Sequence, residues 1–160
     1  MAETNKEELN LEEKVTVKNI AGWFTGFSRI SSIGDISISP EGSIRLSRNE
    51  IIAQVQNGNR LFTGVDGSGS HATLYINDEA TRKEIGFDSE DGKSKQTVFN
   101  DAEISRIFAL KTQDAFEKSI KNYIVTRAEK YAVIQAIKRL KFNDYSKIRF
   151  IEDYTGYKVQ

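Results

Sequence analysis

Apolar and polar positions change their spacing once along this chain, near residue 100. Before that point the apolar residues alternate with polar ones in short runs, the period of half-buried strands. Val15 and Val17 alternate first, and Gly22-Trp23-Phe24-Thr25-Gly26-Phe27 follows with β-prone aromatics. Ile36 and Ile38 alternate again, the turn Ser39-Pro40-Glu41-Gly42 intervenes, and Ile44 and Leu46 resume the pattern. Proline at the second turn position suits a tight reversal, so these two runs are expected to form a hairpin.

Ser47 to Asn57 admits two readings. As a strand, Ile51, Ala53 and Val55 alternate with Ile52, Gln54 and Gln56, and Asn57-Gly58 turns the chain toward Leu61-Phe62. As a helix, Ser47-x-x-Glu50 is a capping box, Ile51, Ile52 and Val55 share a face, and Gly58 is the left-handed stop. The paired start and stop signals favour the helix. The strand reading would move the first half toward a closed barrel. Beyond a glycine loop at 64–70, Ala72, Leu74 and Ile76 form the cleanest strand; Ile85 and Phe87 suggest a short one, and Val98-Phe99 is expected to close the sheet.

From Asn100 the period becomes 3.6. Asn100-x-x-Glu103 resembles a capping box, with Ile104, Ile107 and Phe108 on one side. A second helix carries Phe116, Ile120, Tyr123 and Ile124. A third, boxed by Thr126-x-x-Glu129, is expected to bury Ala132, Val133, Ala136, Ile137 and Leu140. A fourth after Asn143-Asp144 presents Tyr145, Ile148 and Ile151 and ends before Gly156. The expected class is α+β: a β-rich part over 14–99, a small antiparallel sheet or barrel, then a bundle of three to four helices over 100–160. The two parts are read as one cooperative domain behind a flexible acidic arm at 1–13.

Composition narrows the options. A chain of 160 residues buries about two-thirds of its unfolded surface without staples. It has no cysteine, hence no disulfide or thiolate chemistry. No apolar run approaches the ~20 residues of a membrane span, and MAETNKEELNLEEK lacks the apolar core of a signal peptide. No membrane association is expected, and the missing signal peptide points to the cytoplasm or to a particle assembled there. Net charge is zero but uneven: Glu3, Glu7, Glu8, Glu12 and Glu13 face only Lys6 in the arm, whereas 101–160 is basic.

Catalytic motifs find little support. Gly64-x-x-Gly67-x-Gly69 shares glycine spacing with phosphate-cradling loops, but those precede a helix, and a strand is expected here. His71 is the only histidine, and Asp66 and Asp88 give it no ligand spacing. There is no G-x-S-x-G elbow, and Asp88, Glu90 and Asp91 lack the spacing of Ca²⁺ loops. No enzymatic activity, cofactor or metal is expected. Asp66, Ser68, Ser70 and His71 remain a candidate partner-binding loop.

Two patterns suit nucleic acid. Arg127, Lys130, Lys138 and Lys141 fall within one quadrant of the third helix, with Ile134 among them and Tyr131 at the edge. Such a row of cations suits phosphates, and it equally describes a solvated face. Trp23, Phe24 and Phe27, near Lys18 and Arg29, suit a stacking platform on an OB-like barrel or else a packed core.

The runs IRLSRNEIIAQVQNGNRLFTGVDGSGSHATLYIND and NDYSKIRFIEDYTGY are similar in style to small proteins carried by tailed bacteriophages, many of them virion or assembly components. That resemblance implies a structural role, with the acidic arm and the Thr155–Gln160 tail ordering against neighbouring subunits. The expected function is a non-enzymatic assembly protein acting through protein–protein contacts in a homo-oligomer or particle. The alternative is a nucleic-acid-binding module.

Overall fold

A computed structural model describes residues 9–91, 93 and 99–159. In chain order the elements are β1 (Lys14–Asn19), β2 (Thr25–Ser28), β3 (Asp35–Ile38), β4 (Ser43–Ser47), α1 (Arg48–Gln56), α2 (Arg60–Thr63), β5 (Leu74–Asn77), α3 (Glu79–Glu84), α4 (Asp101–Phe108), α5 (Gln113–Tyr123), α6 (Arg127–Leu140) and α7 (Tyr145–Thr155). The class is α+β, with small antiparallel sheets in the first half and the long helices in the second. Among the described residues no helix is long and apolar enough to cross a membrane.

Strand β1 is the centre of a three-stranded antiparallel sheet of order β4-β1-β5, with Val17 opposite both Ile44 and Ile76. Strands β2 and β3 form a separate two-stranded ribbon, in which Phe27 faces Ile36. Among the described residues the strands therefore make an open sheet and a ribbon, not a barrel.

The turn at Ser39–Gly42 forms, with the Gly42 N–H donating to the Ser39 carbonyl at 2.9 Å, but the flanking strands do not pair as expected. The turn instead carries the chain from one sheet to the other. Buried Asn19 fixes this corner: its Nδ2 donates to the carbonyls of Trp23 at 2.9 Å and Ser39 at 3.1 Å, and its Oδ1 accepts from the Ala21 N–H.

The ambiguous segment is helical. Ser47 Oγ accepts from the Glu50 N–H, and Gly58 takes a positive φ of 76° just beyond the end of α1. Only half of the capping box forms, because the Glu50 carboxylate is engaged elsewhere. The expected strand at Ile85–Phe87 is absent. Asp78 caps α3 through the Thr81 N–H, Ile85 ends that helix, and Phe87 turns into the core. Local capping chemistry here outweighs a two-residue alternation. Phe99 stacks on Tyr123 at 5.9 Å rather than extending a sheet, and residue 98 lies outside the described residues.

The described end of the acidic arm is held. Arg48 donates to the Asn10 carbonyl and the Glu13 carboxylate, while Asn49 N–H donates to the Leu11 carbonyl.

Two apolar cores result. One lies under the sheet and α1–α2, around Val17, Ile51, Phe62 and Leu74. The other fills the helical half, around Ile104, Phe116, Ile120 and Ile137, with Leu140 only partly buried at its edge. The full capping box at Thr126 and Glu129 starts α6, and Gly156 stops α7 in a left-handed conformation. A small third cluster of Ile20, Ala21 and Ala128, flanked by Trp23 and Phe99, joins the halves.

Candidate functional site

The β2–β3 ribbon ends in a loop that displays apolar side chains to solvent. The Arg29 N–H donates to the Gly34 carbonyl at 2.8 Å and closes the loop. At its tip Ile33 is 99% exposed and Ile30 46% exposed, while Phe24, just before the ribbon, is 68% exposed. Unsupported apolar loops collapse or fluctuate, and this one is pinned from below.

Glu50, 1% exposed on α1, accepts from the N–H groups of Ile30 and Ser31 and from Ser31 Oγ, all at 3.0–3.2 Å. Gln54, one turn on, donates to the Glu50 carboxylate at 3.0 Å and to the Ser28 carbonyl at 2.8 Å. Burial pushes the Glu50 carboxyl up, but the hydrogen bonds from Ile30, Gln54 and Ser31 outweigh it and hold it below the usual glutamate range. The result is a preformed apolar tip, the kind of element that loses little entropy when it docks. Glu50 looked like a capping residue in the sequence. The signal that marks its true task is the pair of isoleucines in Ile30-Ser31-Ser32-Ile33, an apolar pair inside a glycine-terminated loop.

The glycine loop takes a different role. Asp66 accepts from the N–H groups of Ser68 at 2.8 Å and Ser70 at 3.3 Å, folding the loop on itself. Gly64 is obligatory here, since a Cβ would lie 2.0 Å from the Ser70 carbonyl oxygen. Strand β5 follows, so the loop does not lead directly into a helix. Asp66 and Ser68 are exposed, whereas His71 turns inward. Its Nδ1 lies 2.8 Å from the carboxylate of Glu129, which is fully buried and also accepts from the N–H groups of Val125 and Thr126. His71 thus fastens the first half of the chain to the start of α6, beside a cleft of about 520 Å³ lined by Thr63, Gly64, Thr73 and Thr126. Among the described residues no three His, Asp or Glu side chains are grouped to hold a metal ion.

The aromatic and basic residues are redistributed. Phe27 packs edge-on against Phe62, 5.4 Å away, beside the first core, and Phe24 stands alone at the surface. Trp23 leaves them and meets α6, with its ring 6.3 Å from Tyr131 and the Arg127 guanidinium 4.8 Å above it. The stripe along α6 is interrupted, because Ile134 at its middle is 2% exposed and belongs to the helical core. Arg127 and Lys130 sit at one end of the helix, Lys138 and Lys141 at the other, where Lys141 is the left-handed cap.

These features define a class: a two-part α+β protein bearing a rigidly supported apolar ribbon tip and a cation–aromatic surface. No family model, curated protein or solved structure matches the chain.

Proposed function

We propose that this chain is a non-enzymatic assembly protein that docks against other protein subunits through the tip of the β2–β3 ribbon. The supporting observation is the combination of solvent-exposed Ile33 and Ile30 with a buried carboxylate dedicated to shaping the loop that carries them. Exposed apolar side chains on a rigid support mark contact surfaces, whereas isolated exposed residues on mobile loops do not. The similarity of the runs around Ile44–Asp78 and Asn143–Tyr157 to small tailed-phage proteins is the ground for placing that assembly in a phage particle.

The test is the mass of the purified full chain by light scattering, together with its presence in particles from the native source. A closed oligomer or stable incorporation is expected, and Ile30→Ser/Ile33→Asp should weaken it without changing the circular dichroism of the free chain. A chain that stays monomeric at all concentrations and is absent from particles overturns the proposal, as does assembly indifferent to the double variant.

A further inference from the structure

Helix α7 lies against both α5 and α6, and its rings Phe150 and Tyr154 stack in parallel, 6.0 Å between centres and 6° between planes. Each ring carries a lysine from a different neighbour. Lys121 of α5 lies 5.9 Å from the Phe150 centre, and Lys130 of α6 lies 5.2 Å from that of Tyr154. One turn before Lys130, Arg127 rests on Trp23 and reaches the Tyr157 hydroxyl at 3.5 Å. Tyr157 in turn packs edge-on against Tyr131 at 6.4 Å.

Three cations are thus seated on three aromatic faces along one seam. Among the described residues, none of the three has a carboxylate within ion-pair distance, although Arg82, Arg106, Arg139 and Lys147 elsewhere all do. The two acids of α7 have other partners: Glu152 accepts from the Val159 N–H, and Asp153 acts on Arg149. A cation over a ring is held in place through its quadrupole yet keeps its N–H donors available. Cations fixed in position without partner carboxylates are what a polyphosphate chain requires, because binding replaces its mobile counterions with these fixed charges.

We propose that Lys121, Lys130 and Arg127 form a track for the phosphate backbone of nucleic acid. The track passes from α5 to the start of α6 over the rings of α7 rather than running along α6, so Lys138 and Lys141 are not part of it. The rings act chiefly as seats for the cations, which makes recognition one of backbone charge and not of base sequence. This proposal stands on its own observations and does not depend on the ribbon tip.

The test is fluorescence anisotropy of the full chain with a labelled oligothymidylate about 16 nucleotides long and with a duplex of equal length. Binding of either is expected at low salt, with the logarithm of affinity falling linearly as the logarithm of salt rises. The slope should be about −2 for the single strand if three phosphates are neutralised. Lys121→Glu/Lys130→Glu should lower affinity by about ten-fold or more, whereas Lys138→Glu/Lys141→Glu should leave it within two-fold of the parent. Emission of Trp23, the only tryptophan, should change on binding because Arg127 covers it. No binding at low salt, equal losses in the two double variants, or a flat salt dependence overturns the proposal. Should Lys121→Glu/Lys130→Glu fail to fold, Lys121→Gln/Lys130→Gln serves instead, with a shallower salt slope as the expected result.

Discussion

A Cβ atom built at Gly22 would lie 2.2–2.5 Å from three carbons of the Tyr131 ring, so the close approach of the first half to α6 depends on a missing methyl group. Overpacking of this kind costs about 1–3 kcal/mol. Gly22→Ala should lose that amount in urea unfolding followed by Trp23 emission, and the loss should shrink when Tyr131 is also truncated to alanine, a coupling that a double-mutant cycle reads directly. Glu129 poses a second question at this scale, because it serves both a helix cap and His71. Thr126→Ala, which removes the ordinary cap, should cost about 1 kcal/mol. Glu129→Ala should cost on the order of 3 kcal/mol, since it removes the buried partner of His71 and of the Val125 and Thr126 N–H groups. Equal costs for the two would reduce Glu129 to a cap. The cap was legible at Thr126-x-x-Glu129 because its two partners are three residues apart. The partnership with His71 was not, because 58 residues separate the pair and no local pattern encodes it.

Helices and strands differ in the same way. Three long helices announced their starts through a side chain that accepts from a backbone N–H three residues on, as Asn100, Thr126 and Asp144 do, while the equivalent cap of α5, Thr112, was not read from the sequence. Strand existence was also visible at Val15–Val17 and Leu74–Ile76, but strand partners were not. The turn at Ser39–Gly42 reads as a hairpin in sequence, yet the Asn19 side chain redirects the chain into a different sheet. Glu50 shows how an element can be read correctly and its key residue misassigned: α1 begins where its cap says, while the carboxylate reaches across to another loop. Glu50→Gln should therefore leave α1 intact yet place an amide donor against N–H groups, costing about 1–3 kcal/mol. Hydrogen exchange should accelerate at the amides of Ile30 and Ser31 in particular. The pH dependence has a defined sign. The folded-state carboxyl is lowered, so its contribution is complete above the usual glutamate value of about 4.3 and is lost as pH falls through the lower folded value. Protection of those two amides should hold at pH 5 and decline only under stronger acid. A decline already beginning between pH 6 and 5 would contradict this account of the loop.

At the scale of the whole molecule, two sizeable cores meet across a narrow joint of Ile20, Ala21 and Ala128, reinforced by Trp23 on Tyr131 and His71 on Glu129. A joint this small raises the question of whether the halves unfold together. Each core buries its own set of large side chains, Phe62 and Leu74 in one, Phe116 and Ile120 in the other, and either could melt alone if coupling were weak. The joint, however, contains the start of α6, whose first turn is capped by the residue that His71 holds. Loosening the first half thus strips a buried carboxyl group at the start of α6 of its His71 partner, and that penalty couples the two. The parent chain should melt in a single transition, with calorimetric and van't Hoff enthalpies in agreement. In His71→Ala/Tyr131→Ala the transitions should separate, with amides around Val17 and Ile120 losing protection at different temperatures. If the parent chain already shows two transitions, the joint is merely a contact, and the apolar ribbon and the cation track belong to units that act independently. If both parent and double variant melt as one, coupling is carried by the Ile20–Ala21–Ala128 packing alone, and Ala128→Glu should then be the substitution that divides them.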